Sequence, residues 1–435
     1  MTARELIATV VSGRFTELPQ RKSAHGARGP IDWEGYDEAR ARARKRTGES
    51  ESVVSGVGQV GGTEAVVIAF EFGFLGGSMG EDAGQRVENA LLTARDLTLP
   101  VVSLLASGGS RMQEGLSALA QLHRIARQMV RLREAGLPHL AVLAGPVTGG
   151  GWATLGAGAD VRLAFPGVQV GFAGSRVRPP GADPTAYTAE GQLAVGQVDA
   201  LVRPQELGET VADWLALLTN PAAGPVAPPP ALRAMPLPET GWQAVERARA
   251  ADRPRAERYL RAFFTRRRAL ASVDPGLLCG FGEHEGRTVG YVAQCGTATR
   301  PAGFRAATRL LRLADRLSIP VLTLVDTPGA ANDAAAERDG VGAAIAETIT
   351  AVSASRIPVT TLLIGEGGSG GAVALTSAGH TWVTPDSYYA VLVPERATAL
   401  LKRSPEEVAA TAEQLRVRPQ DLVELGIARG IVAPQ

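Results

Sequence analysis

Cysteine is nearly missing: only Cys279 and Cys295 occur in 435 residues, which excludes a disulfide framework and a four-cysteine zinc ribbon alike. Charge of one sign is not in excess, since 45 Lys and Arg stand against 44 Asp and Glu. Nothing general therefore draws the chain to nucleic acid or to an anionic membrane, and any basic site must be local. Long apolar runs are absent as well. Leu140–Leu143 and Val321–Val325 are strand-sized and interrupted by Gly or Pro, far short of the roughly 20 residues of a membrane span. The first fifteen residues carry Arg4 and Glu5 and no apolar block ending in a cleavage site, so no export signal is read there and a reducing cytoplasm is the expected compartment. Aromatics are 5% of the chain against 51 glycines. That bias suits close helix–sheet packing in a layered α/β protein, although a GC-rich genome produces the same composition.

Familiar catalytic side chains are scarce. His25, His123, His139, His284 and His380 stand in no Ser/His/Asp order with a nucleophile elbow, and none is spaced as a metal pair. They read as structural or surface histidines, and no metal is expected. Paired carboxylates such as Glu406-Glu407 fall on helix faces, where solvated charges are the ordinary reading.

What the chain does contain is a repeat of domain size. Ala94–Ser103 reads ARDLTLPVVS and Ala314–Thr323 reads ADRLSIPVLT, a shift of 220 residues taken on Pro100 and Pro320. The same shift carries Leu137-Pro138 onto Ile357-Pro358, Gly145 onto Gly365, and Ser107-Gly108-Gly109 onto Thr327-Pro328-Gly329. One inserted residue then sets Thr148-Gly149-Gly150 on Ser369-Gly370-Gly371, and Val195–Asp199 answers to Leu425–Arg429. Each half runs helix, β-branched strand after Pro, Gly turn, helix, apolar strand, and a Gly-Gly turn into a third helix. That order predicts ββα superhelical units with parallel strands. The prolines of Asn220–Glu239 cannot sit in helices or central strands. The expected organisation is an N-terminal segment 1–30, a first domain 31–218, a Pro-rich linker 219–240 and a second domain 241–435.

The chemistry is expected at Gly-rich turns placed just before helices, where free backbone N–H groups and the helix dipole favour negative charge. Gly149-Gly150 and Gly371-Ala372 are the candidate donor pairs for an oxyanion such as a thioester enolate, an effect worth about 3 kcal/mol per donor. Small residues are required there, because a side chain would block the approach of backbone to ligand. Gly76-Gly77-Ser78-Met79-Gly80 either wraps a ligand or turns a strand into a helix. Arg266-Arg267-Arg268 and the basic stretch Arg40–Arg46 either meet phosphates or form wet faces.

Read together, Phe74–Gly80 (FLGGSMG), Ala106–Gly115 (ASGGSRMQEG), Val147–Gly150 and Gly171–Val177 (GFAGSRV) resemble the β subunit of bacterial acetyl-CoA carboxylase carboxyltransferase. Asp326–Ala330 (DTPGA), Ala336–Glu347 (AERDGVGAAIAE) and Gly365–Ala372 (GEGGSGGA) resemble its α subunit. The likeness runs from about Asp32 to about Val432, with the two subunits fused in β-then-α order. It implies an α/β protein of two crotonase-like (ClpP/crotonase) ββα-superhelix domains in tandem, acting as the carboxyltransferase of an acyl-CoA carboxylase. By that resemblance the first lobe holds the acyl-CoA and the second the carboxybiotin, and the active site forms between the first lobe of one protomer and the second of another. Gly149-Gly150 then hold the enolate oxygen and Gly371-Ala372 the ureido oxygen of biotin. Gly76, Gly77, Ser107, Gly108, Gly109, Arg111, Gly329 and Gly370 are the expected substrate- and cofactor-binding residues. The implied partners are a biotin carboxyl carrier protein and a biotin carboxylase, since biotin rides on a separate carrier, within a homodimer or homohexamer.

Four departures from the family pattern stand out. The ribbon's four cysteines are not in the chain, and the α-type loop is shortened around Gln294–Arg300. The usual Tyr-Pro-Gly after DTPGA reads Ala331-Asn332-Asp333, and a Ser-Pro-Glu-Gly turn reads Val393-Pro394-Glu395-Arg396. These biotin-side changes motivate a second expectation, a biotin-independent decarboxylase of malonyl-type thioesters on CoA or an acyl carrier protein, and a third, a non-catalytic scaffold subunit.

Overall fold

A computed structural model describes residues 1–20 and 25–434. The chain divides into two compact units, Met1–Thr219 and Asn220 onward. In the first, strands β1 (Ser12–Glu17), β2 (Val53–Val60), β3 (Thr63–Phe70), β4 (Val101–Ser107), β5 (His139–Thr148), β6 (Val161–Ala164) and β8 (Ala200–Leu201) lie in that order in one sheet, with β7 (Val170–Gly171) beside β5. The second repeats the plan. Its strands β9 (Arg266–Leu270), β10 (Leu277–His284), β11 (Arg287–Gln294), β12 (Val321–Thr327), β13 (Val359–Gly368), β14 (Thr381–Val383) and β16 (Gly430–Ile431) are neighbours in turn, with β15 (Tyr388–Ala390) beside β13. In both units an antiparallel hairpin leads into parallel strands. Two tandem α/β domains of ββα units are what the repeat predicts.

Local chemistry explains the elements. Two-residue turns with both residues at positive φ close the hairpins: Gly61-Gly62 at +55° and +87°, Glu285-Gly286 at +51° and +74°, the geometry that matches strand twist. Pro100 and Pro320 stand just before a parallel strand, where no ladder N–H is required. Their carbonyls accept from the strand alongside, Val66 N–H at 3.0 Å and Gly290 N–H at 2.8 Å. The crossover helices Glu81–Asp96 and Pro301–Arg316 bury one stripe each. Ala83, Val87, Ala90, Leu91 and Ala94 face inward in the first, and Gly303, Ala307, Leu310, Leu311 and Ala314 in the second, the spacing of a helix lying on a sheet.

The repeat is more regular than its letters suggest. From the crossover helix through β5 and β13 the shift stays at 220, because Ser107 faces Val147 in one ladder and Thr327 faces Gly367 in the other. Gly149 therefore corresponds to Ser369, and both sit at left-handed φ, +54° and +51°. The inserted residue expected before Ser369 does not exist; matching Gly-Gly letters had displaced the alignment by one. The hairpins differ by four further residues, absorbed where β11 runs into its helix through Cys295–Arg300, the shortening read in the sequence. The third helices are also shorter than expected. Gly149–Gly151 is a single turn running into a π-helical turn, Trp152–Gly156, and Ser369–Val373 is barely longer.

Described parts of both segments read as lying outside the domains are packed into them, while residues 21–24 lie outside the described residues. Residues Ala3–Val10 form a helix whose first N–H meets Glu71 Oε2 at 2.9 Å, and β1 adds to β2. The Pro-rich stretch straps the second unit: the Asn220 carbonyl accepts from Thr288 N–H at 2.8 Å and Ala231 N–H donates to the Ala433 carbonyl at 2.9 Å. Among the described residues no helix is long and apolar enough to cross a membrane, and no cluster of three or more His, Cys, Asp or Glu could hold a metal.

At the heart of the second unit, Arg253 and Asp326 are both wholly buried and joined by two contacts of 2.9 Å. The guanidinium also donates to the Ala248 carbonyl at 2.7 Å and to the Ile364 carbonyl at 2.5 Å, while Asp326 accepts from Arg255 and from Glu366 N–H. Removing one member leaves the other charge stranded in the interior. Asp326→Ala is expected to cost about 3 to 5 kcal/mol of stability, read as a lower urea midpoint; an unchanged midpoint would rule out a structural role for the pair.

Candidate active site

Each unit builds a corner from two chain segments. At the end of β4 the Ser107 hydroxyl accepts from Gly109 N–H at 3.2 Å, and at the end of β12 the Thr327 hydroxyl accepts from Gly329 N–H at 3.1 Å. These side chains mimic a turn and hold the glycines at φ +95° and +139°. The next peptide is pinned on one side only. Met79 N–H donates to the Gly109 carbonyl and Arg111 N–H to the Met79 carbonyl, both at 2.8 Å. Thr299 makes the same pair with Gly329 and Ala331, at 3.1 and 2.9 Å. Between them, Ser110 and Ala330 turn their N–H groups the other way, and no acceptor among the described residues takes either. The Ser110 hydroxyl is likewise buried without a partner.

The second segment is the turn after β5 or β13. Gly150, Gly151, Gly370 and Gly371 stand at the start of very short helices, and none of their N–H groups meets an acceptor among the described residues. The two segments touch. A Cβ on Gly109 would lie 3.6 Å from the Gly150 nitrogen, and a Cβ on Gly371 would fall on the nitrogen of Ala330. Glycine at 371 is thus forced by the approach of two backbones. Gln294 steadies this corner, donating to the Gly371 carbonyl at 3.0 Å.

This geometry bears on three of the expected site residues. Gly149 N–H donates to the Phe172 carbonyl at 2.9 Å, so it is spent on the ladder to β7 and cannot bind an oxyanion. Ala372 is fully buried and its side chain does not line the cleft, and the register that pairs Gly149 with Ser369 sets Gly150-Gly151 opposite Gly370-Gly371, whose N–H groups meet no acceptor among the described residues. Arg111 is wholly buried, its guanidinium paired with Glu51 and donating to the Ser78 carbonyl and to Tyr36 Oη. It braces the loop from beneath and has no free face for a phosphate. Sequence reading missed Ser110 and Ala330; the signal was the repeat itself, since each follows a glycine held by a hydroxyl two residues back.

The other candidates take these places. Gly76 and Gly77, at φ +68° and +63°, close a turn against β4, with Gly108 N–H donating to the Gly76 carbonyl at 2.8 Å. Pro328, Gly329, Ala330, Ser369, Gly370 and Gly371 line a cleft of about 540 Å³ in the second unit, whose wall also carries Arg249, Glu366 and Arg396. Glu366 accepts from Arg249 Nε at 3.0 Å and from Tyr388 Oη at 2.9 Å. Burial, with the Glu366 charge beside it, pushes the Tyr388 hydroxyl above its ordinary range. The arginine runs are tied down: Arg266 pairs with Glu283, Arg267 with Glu257, and Arg40 is buried against Asp82 at 3.1 Å. His139 bonds Ser103 in the interior, and His284 stacks on Phe263 with centroids 3.8 Å apart.

Residues 238–434 match the family model "Acetyl co-enzyme A carboxylase carboxyltransferase-like". The acetyl-coenzyme A carboxylase carboxyl transferase subunits beta/alpha of Saccharopolyspora erythraea are 36% identical over 93% of this chain and 76% of the relative. This chain belongs to the acetyl-CoA carboxylase carboxyltransferase family. The Salinispora tropica counterpart is 35% identical over 98% of the chain and 81% of its own length. In fold, the carboxyltransferase matches a transcarboxylase 12S structure over 100% of its length and 87% of that chain, with TM-score 0.83 at 21% identity. A single-chain, multi-domain long-chain acyl-CoA carboxylase is matched with TM-score 0.79 at 22% identity, over 100% of this chain and 44% of that one.

The corner predicts a contrast between adjacent glycines. A Cβ on Gly370 meets nothing within 4 Å, so Gly370→Ala should leave the thermal midpoint unchanged or slightly raised while the methyl enters the cleft and cuts carboxyl transfer by about tenfold or more. Gly371→Ala should lower both. Equal loss of stability in the two variants would refute the assigned geometry.

Proposed function

We propose that the chain moves CO2 from carboxybiotin on a separate carrier protein to the α-carbon of a short acyl-CoA, acetyl-CoA to malonyl-CoA or a homologue. The observation that carries this reading is the pair of equivalent corners, each presenting N–H groups from two segments with no partner of their own. The biotin ring and the thioester both bring a carbonyl oxygen whose negative charge grows during transfer. Ser110 and Gly150 N–H groups would hold the thioester oxygen as the α-proton leaves, the decarboxylated biotin being its acceptor; Ala330, Gly370 and Gly371 N–H groups would hold the ureido oxygen. Fit supports the assignment, because a Cβ at Gly150 would meet Leu122 and one at Gly371 would meet Ala330. The biotin carboxyl group is the source of CO2, and the chain contributes fixed dipoles and position in place of an ionisable side chain.

A biotin carboxyl carrier protein and a biotin carboxylase are the proposed partners, and a homodimer or homohexamer the proposed assembly. Phe172, Val177 and Leu116 support association, being 74–79% exposed and large. The altered residues Asn332, Val393 and Arg396 all line the second cleft and favour one rival, a biotin-independent decarboxylase of malonyl-type thioesters.

Purified chain supplied with carboxylated carrier and acetyl- or propionyl-CoA is expected to yield the carboxylated CoA ester by mass spectrometry. No product with any short acyl-CoA, together with CO2 release from malonyl-CoA in the absence of biotin, would select the decarboxylase instead.

A further inference from the structure

The cleft over Gly370-Gly371 has a charged wall, and its charges do not balance. Glu366 is its acidic member, and that carboxylate is already held by Arg249 and the Tyr388 hydroxyl. Arg249 reaches past it to Glu395 as well, so its charge is answered twice. Arg396 lines the same cleft, is exposed, and makes no ion pair or hydrogen bond among the described residues. It is an uncompensated cation facing a corner whose N–H groups are also unanswered. Arg249 fixes where it stands, because Glu395 is the neighbouring residue in the first turn of the helix Pro394–Leu400.

Asn332 adds a side-chain amide to the same wall. We infer that Arg396 is a specificity residue that receives the carboxylate of the ligand lying over Gly370-Gly371, with Arg249 as its positioning residue. This rests on the carboxyltransferase reading. A planar guanidinium offers a fork of donors that matches a carboxylate in two parallel hydrogen bonds. The carboxylate can come from carboxybiotin or from a malonyl-type thioester, and the cleft chemistry is the same for both.

The test compares wild type with Arg396→Gln and Arg396→Lys, first in binding, then in transfer. Wild type should bind the carboxylated carrier more tightly than the uncarboxylated one, and Arg396→Gln should lose that preference by about tenfold, with Arg396→Lys keeping part of it. In transfer, a KM rise for carboxylated carrier with the acyl-CoA KM unchanged assigns the carboxylate to biotin. A KM rise for malonyl-CoA in the reverse direction assigns it to the thioester. Arg249→Gln should reproduce the KM effect in weaker form while unfolding at a similar temperature. The inference is overturned if Arg396→Gln binds and turns over both carboxylated ligands as wild type does. Absence of transfer by wild type, with the binding preference for a carboxylated ligand intact, would instead overturn the carboxyltransferase reading and leave the role of Arg396 standing.

Discussion

Two stretches of backbone approach each other at the carboxyl ends of the parallel strands more closely than any side chain allows, and the rest of each unit is arranged around that contact. A Cβ on Gly371 would occupy the nitrogen of Ala330; a Cβ on Gly368 would occupy the Pro328 carbonyl; one on Gly77 would occupy the Ala106 carbonyl. Such contacts leave peptide N–H groups pointing into open space, because the ladder partners that would accept them lie on the other side of the strand. An unanswered donor in a protein is costly unless a ligand or water supplies the acceptor. The corner therefore carries a cost in stability that packing elsewhere must offset, which a ligand with an acceptor oxygen would relieve.

The ion pairs beneath the loops make that offset concrete. Burial alone would push the Glu51 carboxyl up, yet the charge and hydrogen bonds of Arg111 and the N–H of Ser52 hold it below its ordinary range. Arg111 bridges Glu51 to the Ser78 carbonyl, so it fastens the chain before β2 to the glycine loop after β3. Arg253 does equivalent work in the second unit through Asp326 and the Ile364 carbonyl. Arg253 and Asp326 do not line the cleft over Gly370-Gly371. A buried charge pair contributes less to stability than its Coulomb energy suggests, but it permits one arrangement of its loops and penalises others.

Much of this was legible in the sequence, and what was not follows a physical rule. The repeat, the strand after each proline and the Gly-rich turns were readable because Pro and Gly mark backbone geometry directly. Which N–H groups stay free was less legible, since letters show that a turn is glycine-rich and not which N–H the ladder consumes. Gly149 looks as free as Gly150 until Phe172 is seen to accept from it. Arg111 was misread for a related reason. The resemblance set it among the substrate- and cofactor-binding residues, and only three-dimensional contact reveals Glu51, sixty residues earlier, as its partner. Ser110 and Ala330 carry no special letter at all, because any residue can offer a backbone amide.

The two corners share a backbone plan but differ in what surrounds them, and the difference bears on which ligand each can take. Beside the first, the Phe172 carbonyl holds the Gly149 amide, and among the described residues no charged side chain is set against Ser110 or Gly150 by an ion pair or hydrogen bond. Beside the second, the cleft wall carries Arg249, Glu366 and Arg396. A standing cation suits a ligand that arrives already charged. Two corners with one backbone plan can thus differ in the ligand each suits through the side chains around them, without any change to their glycines.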